Sequence, residues 1–332
     1  MLMPSMQTFG KEVVLEIYSK LEDDRREIVL DATGLRIDFD INNTVGYNRG
    51  KFSIYNLNTE TIKDISNGEK YVSLNIGIHG SGLYSLGEDF YISNATTETI
   101  LPNTITTLYC MSGKRKSFLE TQIHTNFGKS SLKEFIQIII DEAKDSTINT
   151  EYILFPAGVL NYKAPSGKIS RYSGSTESIL NKLSKMFHFQ YYLQGNTLRI
   201  VYKADTQGTY KKSEEGREGR EFSVDALNLR ANPIVGVGTI QLDINLTPDI
   251  LPGDVFDTND FITASNDLGI EYLAAVKNDM KSTVTKYSKF QVWNVIQRGS
   301  NYTDQWHTTV MGYTAKDGNR LSTEHFNWYG RD

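Results

Sequence analysis

The residues of this chain on which chemistry would be built are five histidines, one cysteine, three tryptophans and a scatter of carboxylates. His79, His124, His188, His307 and His325 are far apart, and none forms an HExxH or HxH pair. A local metal centre needs two such ligands on one face of a helix or strand. His188 lies in Phe187-His188-Phe189, at a predicted helix-to-strand junction, where a structural imidazole is expected. His79-Gly80-Ser81-Gly82 is shaped like an esterase oxyanion loop. Ester hydrolysis also requires a serine on a strained GxSxG elbow, and the sequence contains none. Gly80, Gly82 and Gly87 lack dinucleotide-binding spacing, and no complete phosphate loop of the form GxxxxGK[ST] is present. Asp254, Asp257 and Asp260 cluster in GDVFDTND without the alternating order of a calcium loop, so solvated turn carboxylates are expected. Trp293 and Trp306 sit in strand-like runs, which favours core or interface packing over a sugar platform shared with Trp328. Cys110, alone, makes neither an intrachain disulfide nor a multi-cysteine zinc site and is expected to be buried. The expectation is a chain with no catalytic residue, no cofactor and no metal. A carboxylate pair for glycoside hydrolysis, drawn from 40 acidic residues, stays open.

Composition narrows the class. At 332 residues, with 23% charged and 39% hydrophobic residues, the chain suits an ordered protein of two or three domains. A net charge of -5 argues against duplex DNA binding as the main role, because phosphate contacts need clustered Lys and Arg. No run of about 18 apolar residues occurs, and MLMPSMQTFGKEVV has no apolar core of signal-peptide length. Nineteen tyrosines and fifteen phenylalanines tilt the reading toward β structure.

Periodicity places the elements. Leu35, Ile37, Phe39 and Ile41 alternate with charged residues, and Val72, Leu74, Ile76 and Ile78 share one face of Tyr71–Ile78, giving half-buried strands. Between them, TETIKDISNG predicts a short helix capped by Thr59. With β-rich stretches at 84–92 and 104–111, residues 1–113 read as a small antiparallel β-barrel or sandwich of about six short strands. Residues 114–203 read as an α+β module, with helices over 129–144 and 176–187 and a hairpin turning at Gly195-Asn196. The polar stretch 204–221 reads as a linker. Residues 222–332 read as a second β unit, alternating at Ile240, Leu242, Ile244 and Leu246, interrupted near 257–286 and closed by a hairpin. The fold class expected is α+β and β-dominated.

Three segments carry a family resemblance. The stretch beginning at Asn48, NRGKFSIYNLNTETIKDISNGEKYVSLNIGI, resembles the first domain of bacteriophage baseplate hub proteins. The family's strand ending in "YNL", threonine-started helix, glycine turn and following strand fall at Ile54–Leu57, Thr59–Ser66, Gly68 and Tyr71–Gly77. NLTPDILPGDVF is similar to its "P-x-I-x-P-G-D" segment, and KFQVWNVIQRGSNYTDQWHTTVMGY to its closing hairpin, through Val292, Val295, Trp306 and Thr308. This sequence departs from the family pattern at Gly77-Ile78, where Gly-Tyr is usual, and near Gln297-Arg298, where a histidine is common.

The resemblance implies two tail-tube-like β-barrels with an inserted α/β module. It also implies a homotrimer whose six barrels present a quasi-sixfold face to a hexameric tail tube while its threefold axis meets a trimeric central spike. Its implied partners are the tube or tube-initiator protein, the spike and the baseplate wedge proteins, with phage DNA passing transiently through the lumen and no membrane insertion. The implied location is the virion tail baseplate, assembled in the host bacterial cytoplasm. A lumen of neutral or acidic side chains would avoid trapping phosphate. Three other readings stay open: another tail-tip or secretion-spike component, a cell-wall-degrading tail enzyme, and a carbohydrate-binding module.

Overall fold

Alternation of apolar and polar residues in the first third is realised as a strand series. The computed structural model describes residues 10–19, 27–31, 34–78, 82–145, 147–155, 158–164, 170–202, 219–224, 228–231, 233–236, 239–257 and 289–314. The series comprises β1 (Lys11–Tyr18), β2 (Ile28–Asp31), β3 (Ile37–Asn43), β4 (Gly46–Tyr55), helix α1 (Thr59–Ser66), β5 (Tyr71–Ile78), β6 (Leu83–Ile100) and β7 (Asn103–Ser112). In β3, Ile37, Phe39 and Ile41 are buried, while Asp38 and Asp40 stand on the opposite face. These join Leu15, Phe52, Leu74, Phe90 and Leu108 in one apolar core. Two details differ from the sequence reading. Asn58, not Thr59, caps α1, its side chain accepting from the Thr61 N–H at 2.7 Å. And β6 is one strand of 18 residues rather than one of several short ones. Its second half runs beyond β5 and pairs only with β7 among the described residues.

The middle of the chain builds α2 (Arg115–Glu120), β8 (Gln122–Phe127), α3 (Leu132–Glu142), β9 (Asn149–Ile153), β10 (Ser170–Ser175), α4 (Thr176–Phe187), β11 (Phe189–Gln194) and β12 (Thr197–Tyr202). Ser131 and Glu134 form a reciprocal capping box at the start of α3. Ser175 caps α4, as the sequence suggests, and His188 ends it in the left-handed region at φ 56°. Leu132, Phe135, Ile136, Ile139 and Ile140 pack with Ile179, Leu180 and Leu183 in a second core. The β11–β12 hairpin turns at Gly195, φ +52°. Helix α2 and the β8–β10 pair have no counterpart in the sequence reading: α2 is six residues long, and the β10 sequence SRYSGS carries no apolar alternation.

The last part contributes β13 (Glu221–Ser223), β14 (Ile234–Gly236), β15 (Thr239–Asn245), β16 (Val255–Asp257), β17 (Lys289–Ser300) and β18 (Trp306–Thr314). Ile240, Leu242, Ile244, Phe256, Phe290 and Val310 form a third core. The closing hairpin is present, with its turn at 301–305, just beyond the Gly-Ser pair. Most of the predicted linker, and the interruption near 257–286 apart from Asp257, lie outside the described residues.

The fold is β-dominated. Its main sheet runs β14-β15-β18-β17-β3-β4-β7-β6-β5-β1-β2, so both β regions belong to one sheet. The join is β17 against β3, antiparallel from Val295↔Asn43 to Ser300↔Asp38. The two expected barrels are not closed by hydrogen bonds among the described residues: β2 pairs with β1 and does not return to β3, and β14 pairs with β15 and does not meet β13 or β16. The sheet nevertheless curls: Lys11 at the start of β1 donates to the Thr303 carbonyl at 2.7 Å and lies over the Trp306 ring. Phe52, fully buried and edge-on to Phe90, anchors the first core. Phe52→Ala is expected to lower unfolding free energy by about 3–5 kcal/mol in urea titration.

Candidate functional site

The sequence-derived chemical residues do not converge. His124 Nδ1 lies 2.9 Å from Ser173 Oγ across the β8–β10 pair, at the surface. A hydrolytic relay would need a carboxylate to orient the ring, and among the described residues no side-chain carboxylate is bonded to this imidazole. His188 is a helix terminus. His79 and His325 lie outside the described residues, as do Ser81, Asp260 and Trp328. Among the described residues no group of three or more His, Cys, Asp or Glu is placed to hold a metal. Cys110 is buried, and desolvation pushes its thiol well above the usual range. Trp306 packs edge-on against Phe39 in the first core, in keeping with the core reading. The helix start that follows Gly128-Lys129-Ser130 is filled by the Glu134 carboxylate, which accepts the Ser131 N–H at 2.7 Å. That arrangement leaves no vacancy for a phosphate.

An open cleft of about 470 Å³ is lined by Arg36, Arg230, Ala231, Asp243, Thr303, Asp304, Gln305 and His307. Its cations are already engaged. Arg36 is bidentate to Asp38 and stacks on Tyr55, and Arg230 donates to the Trp306 and Asp304 carbonyls at 2.7 and 3.0 Å. Burial, foremost, lowers the His307 pKa, opposed by Asp243 and reinforced by Arg298 and Arg230. Among the described lining residues the one hydroxyl, that of Thr303, accepts from the Gln305 N–H at 3.4 Å, and the cleft reads as a structured surface recess.

Polar organisation is concentrated instead where the α/β module meets the two β regions. Asp254, which the sequence reading placed among solvated turn carboxylates, is only 1% exposed. It accepts from Arg199 of β12 at 3.4 Å, from Arg220 Nη2 at 3.0 Å and from the Leu251 N–H at 3.0 Å. Arg199 also reaches Glu151 at 3.1 Å and the Pro252 carbonyl at 3.1 Å. Pro252-Gly253-Asp254 can carry this carboxylate inward because Gly253 adopts φ +94°, and a Cβ there would sit 2.9 Å from Val201. Beside the charges, Ile153, Tyr192 and Val201 form a small apolar cluster. The Tyr192 hydroxyl lies 2.9 Å from the Trp293 carbonyl of β17, and full burial pushes its pKa far up. On the other side, β11 pairs in parallel with the start of β4 at Tyr192↔Gly46 and Leu193↔Tyr47. Buried Lys114 spans to Asp145 at 3.4 Å and Thr147 at 2.9 Å. The module is braced against both β regions by charge-assisted bonds and main-chain pairing. This geometry fixes the seat of the module against the sheet. The signal for it in sequence is the Pro-Gly-Asp triplet, which the resemblance picked out and the chemical reading set aside.

No family model matches the chain, and no curated protein sequence matches it. Solved structures do. The chain is similar to a 43 kDa tail protein of prophage MuSo2 from Shewanella oneidensis, with TM-score 0.54 and 8% identity over 93% of this chain and 100% of that one. It is also similar to an E. coli component of the type VI secretion system described as structurally similar to the T4 bacteriophage tail proteins gp27 and gp5. That match has TM-score 0.51 and 8% identity, over 86% of this chain and 76% of that one. At such identity the likeness is one of fold. The chain therefore shares the fold of these tail proteins, the class to which the motif order pointed, without the two closed barrels, among the described residues, which that resemblance implied.

Two measurements probe this junction. Asp254→Ala removes the acceptor of the Leu251 N–H and one of the two carboxylates beside Arg199, which keeps Glu151, and is expected to cost about 1–3 kcal/mol in urea titration, whereas Arg220→Ala, at a half-exposed partner, costs about 1 kcal/mol or less. For His307 the folded pKa lies below the unfolded value of about 6.5, so the unfolded chain binds more protons as pH falls. Its contribution is fully present above that value and is lost below it. His307→Gln is expected to flatten the fall in melting temperature between about pH 6.5 and 5.

Proposed function

We propose that this chain is a structural baseplate hub of a phage tail, three copies of which form a ring between the hexameric tail tube and the trimeric central spike. The supporting observation is the fold itself. It is shared along nearly the whole chain with a prophage tail protein and carries two β regions with separate cores on one sheet. In this reading residues 1–113 and 222–332 each serve as a tube-like unit, so that threefold assembly places six around the axis. Residues 114–203 form the brace, and 204–221 the linker. Tube or tube-initiator, spike and wedge proteins are the partners, and DNA crosses the lumen during ejection. The protein acts in the virion tail after assembly in the host cytoplasm, and its work is mechanical and not catalytic. A second reading, a secretion-spike-like component, is favoured by the likeness to the E. coli secretion protein. No described helix is long and apolar enough to cross a membrane.

Light scattering is expected to give a mass near three times 37.6 kDa, and negative-stain averages a ring with six β lobes. A chain that stays monomeric with a trimeric spike protein present, or an even-numbered ring, overturns the hub reading.

A further inference from the structure

The second half of β6 is an open edge. Pairing with β5 ends at Tyr71↔Tyr91, whereas pairing with β7 continues to Ile100↔Asn103, so from Asn94 onward one side of β6 faces no strand among the described residues. The direction of its main-chain groups follows from the neighbouring ladder. Thr104 turns both its carbonyl and its N–H toward β4, where they meet the Asn56 N–H at 2.7 Å and the Asn56 side chain at 3.0 Å. Alternation then turns Asn103, Ile105, Thr107 and Tyr109 toward β6, against Ile100, Glu98, Thr96 and Asn94. The intervening residues Ala95, Thr97 and Thr99 direct their N–H and C=O groups outward.

Natural edges of this length are usually guarded by Lys, Pro, an inward charge or a bulge that ends pairing. The register shifts of β6, two against β5 and one against β7 between Ile92 and Asn94, all precede the open stretch. Ser93–Ile100 carries a single charge, Glu98, and its side chains are mostly Thr, Asn and Ala. The tip is apolar and bare, with Ile100 56% and Leu101 88% exposed.

We propose that this edge pairs with the same edge of a second copy of the chain, antiparallel about a twofold axis at Thr97. That register engages every outward-facing residue: Thr97↔Thr97, and Ala95↔Thr99 twice, each a doubly hydrogen-bonded pair. It sets Glu98 opposite Thr96 and Ile100 opposite Asn94, so the two Glu98 carboxylates are never opposed. The two hairpins merge into a four-stranded ribbon. A twofold contact cannot close a threefold ring, so this surface joins copies belonging to different rings, or copies not yet in one. The inference does not rest on the hub reading.

The test uses two single variants of the full chain, Thr96→Cys and Glu98→Cys. These positions face each other as a non-hydrogen-bonded pair, and native Cys110 is buried and contributes little background. Mixed under mild oxidation, they are expected to form a covalent heterodimer, while each alone stays uncrosslinked. Thr97→Pro, which removes one outward N–H and leaves the β7 ladder intact, is expected to abolish crosslinking when combined with both cysteine variants. It should leave far-UV circular dichroism unchanged. Mixed cysteine variants that stay uncrosslinked at high concentration, or crosslinking that persists with Thr97→Pro, overturn the proposal. A threefold mass unaffected by Thr97→Pro would in that event leave the hub reading standing.

Discussion

Antiparallel pairing of β17 with β3 is the constraint on which the rest of the molecule depends. It brings together residues as far apart as Arg298 and Asp40, 258 positions along the chain, and puts the first and last β regions on one sheet. The pairing is reinforced on both faces. Arg298 donates to Asp40 at 2.8 Å on one side, and on the other Gly299 leaves the space that the Phe39 and Trp306 rings fill. A Cβ at Gly299 would meet Phe39 at 2.3 Å, so this strand position admits no side chain. Closing so long a loop costs chain entropy, which grows only slowly with length. The apolar rings buried at this seam offset it.

With the two β regions joined, the α/β module has a fixed wall to lean on. Its hairpin β11–β12 offers a different residue to each neighbour: Leu193 pairs with β4, and Arg199 bonds the 252–254 turn. Burial of an ion pair is weak evidence of stability in itself, since desolvation consumes much of the attraction. Its value here is geometric. Arg199 has its contacts satisfied only when Glu151, Pro252 and Asp254 are all in register, so the module has one permitted seat.

Much of this was legible in sequence wherever the physics is local. Helices α3 and α4 follow from apolar residues three and four apart behind a serine cap, and the β11–β12 hairpin from a Gly-Asn turn between apolar runs. Strands β3 and β15 follow from strict alternation. What failed was whatever depends on distant partners. Asp254 looks like a turn carboxylate because its neighbours are Pro, Gly and Asp, and only the arrival of Arg199 and Arg220 from other segments makes burial tolerable. Helix α2 is too short to show a period, and β10 is held by its pairing with β8 and not by an apolar face. The length of β6 was missed because SNATTET has no apolar face: it is a ribbon beyond the core, and alternation reports only strands that cover one.

The same dependence on distant partners governs how this fold uses its charged and titratable groups. Catalytic sites gather titratable groups whose pKa values are displaced by one another and leave one valence open to substrate. Here Cys110, Tyr192 and Tyr152 are displaced by burial alone, whereas His307 is displaced by burial together with the charges of Asp243, Arg298 and Arg230. The charged groups are spent on one another or on carbonyls: Arg36 on Asp38, Arg199 on Asp254, Arg230 on two main-chain oxygens. The hydrogen-bonding capacity gathered at the seams is committed to fixing the mutual orientation of three cores, through Arg199 and Asp254 on one side and the β17–β3 ladder on the other.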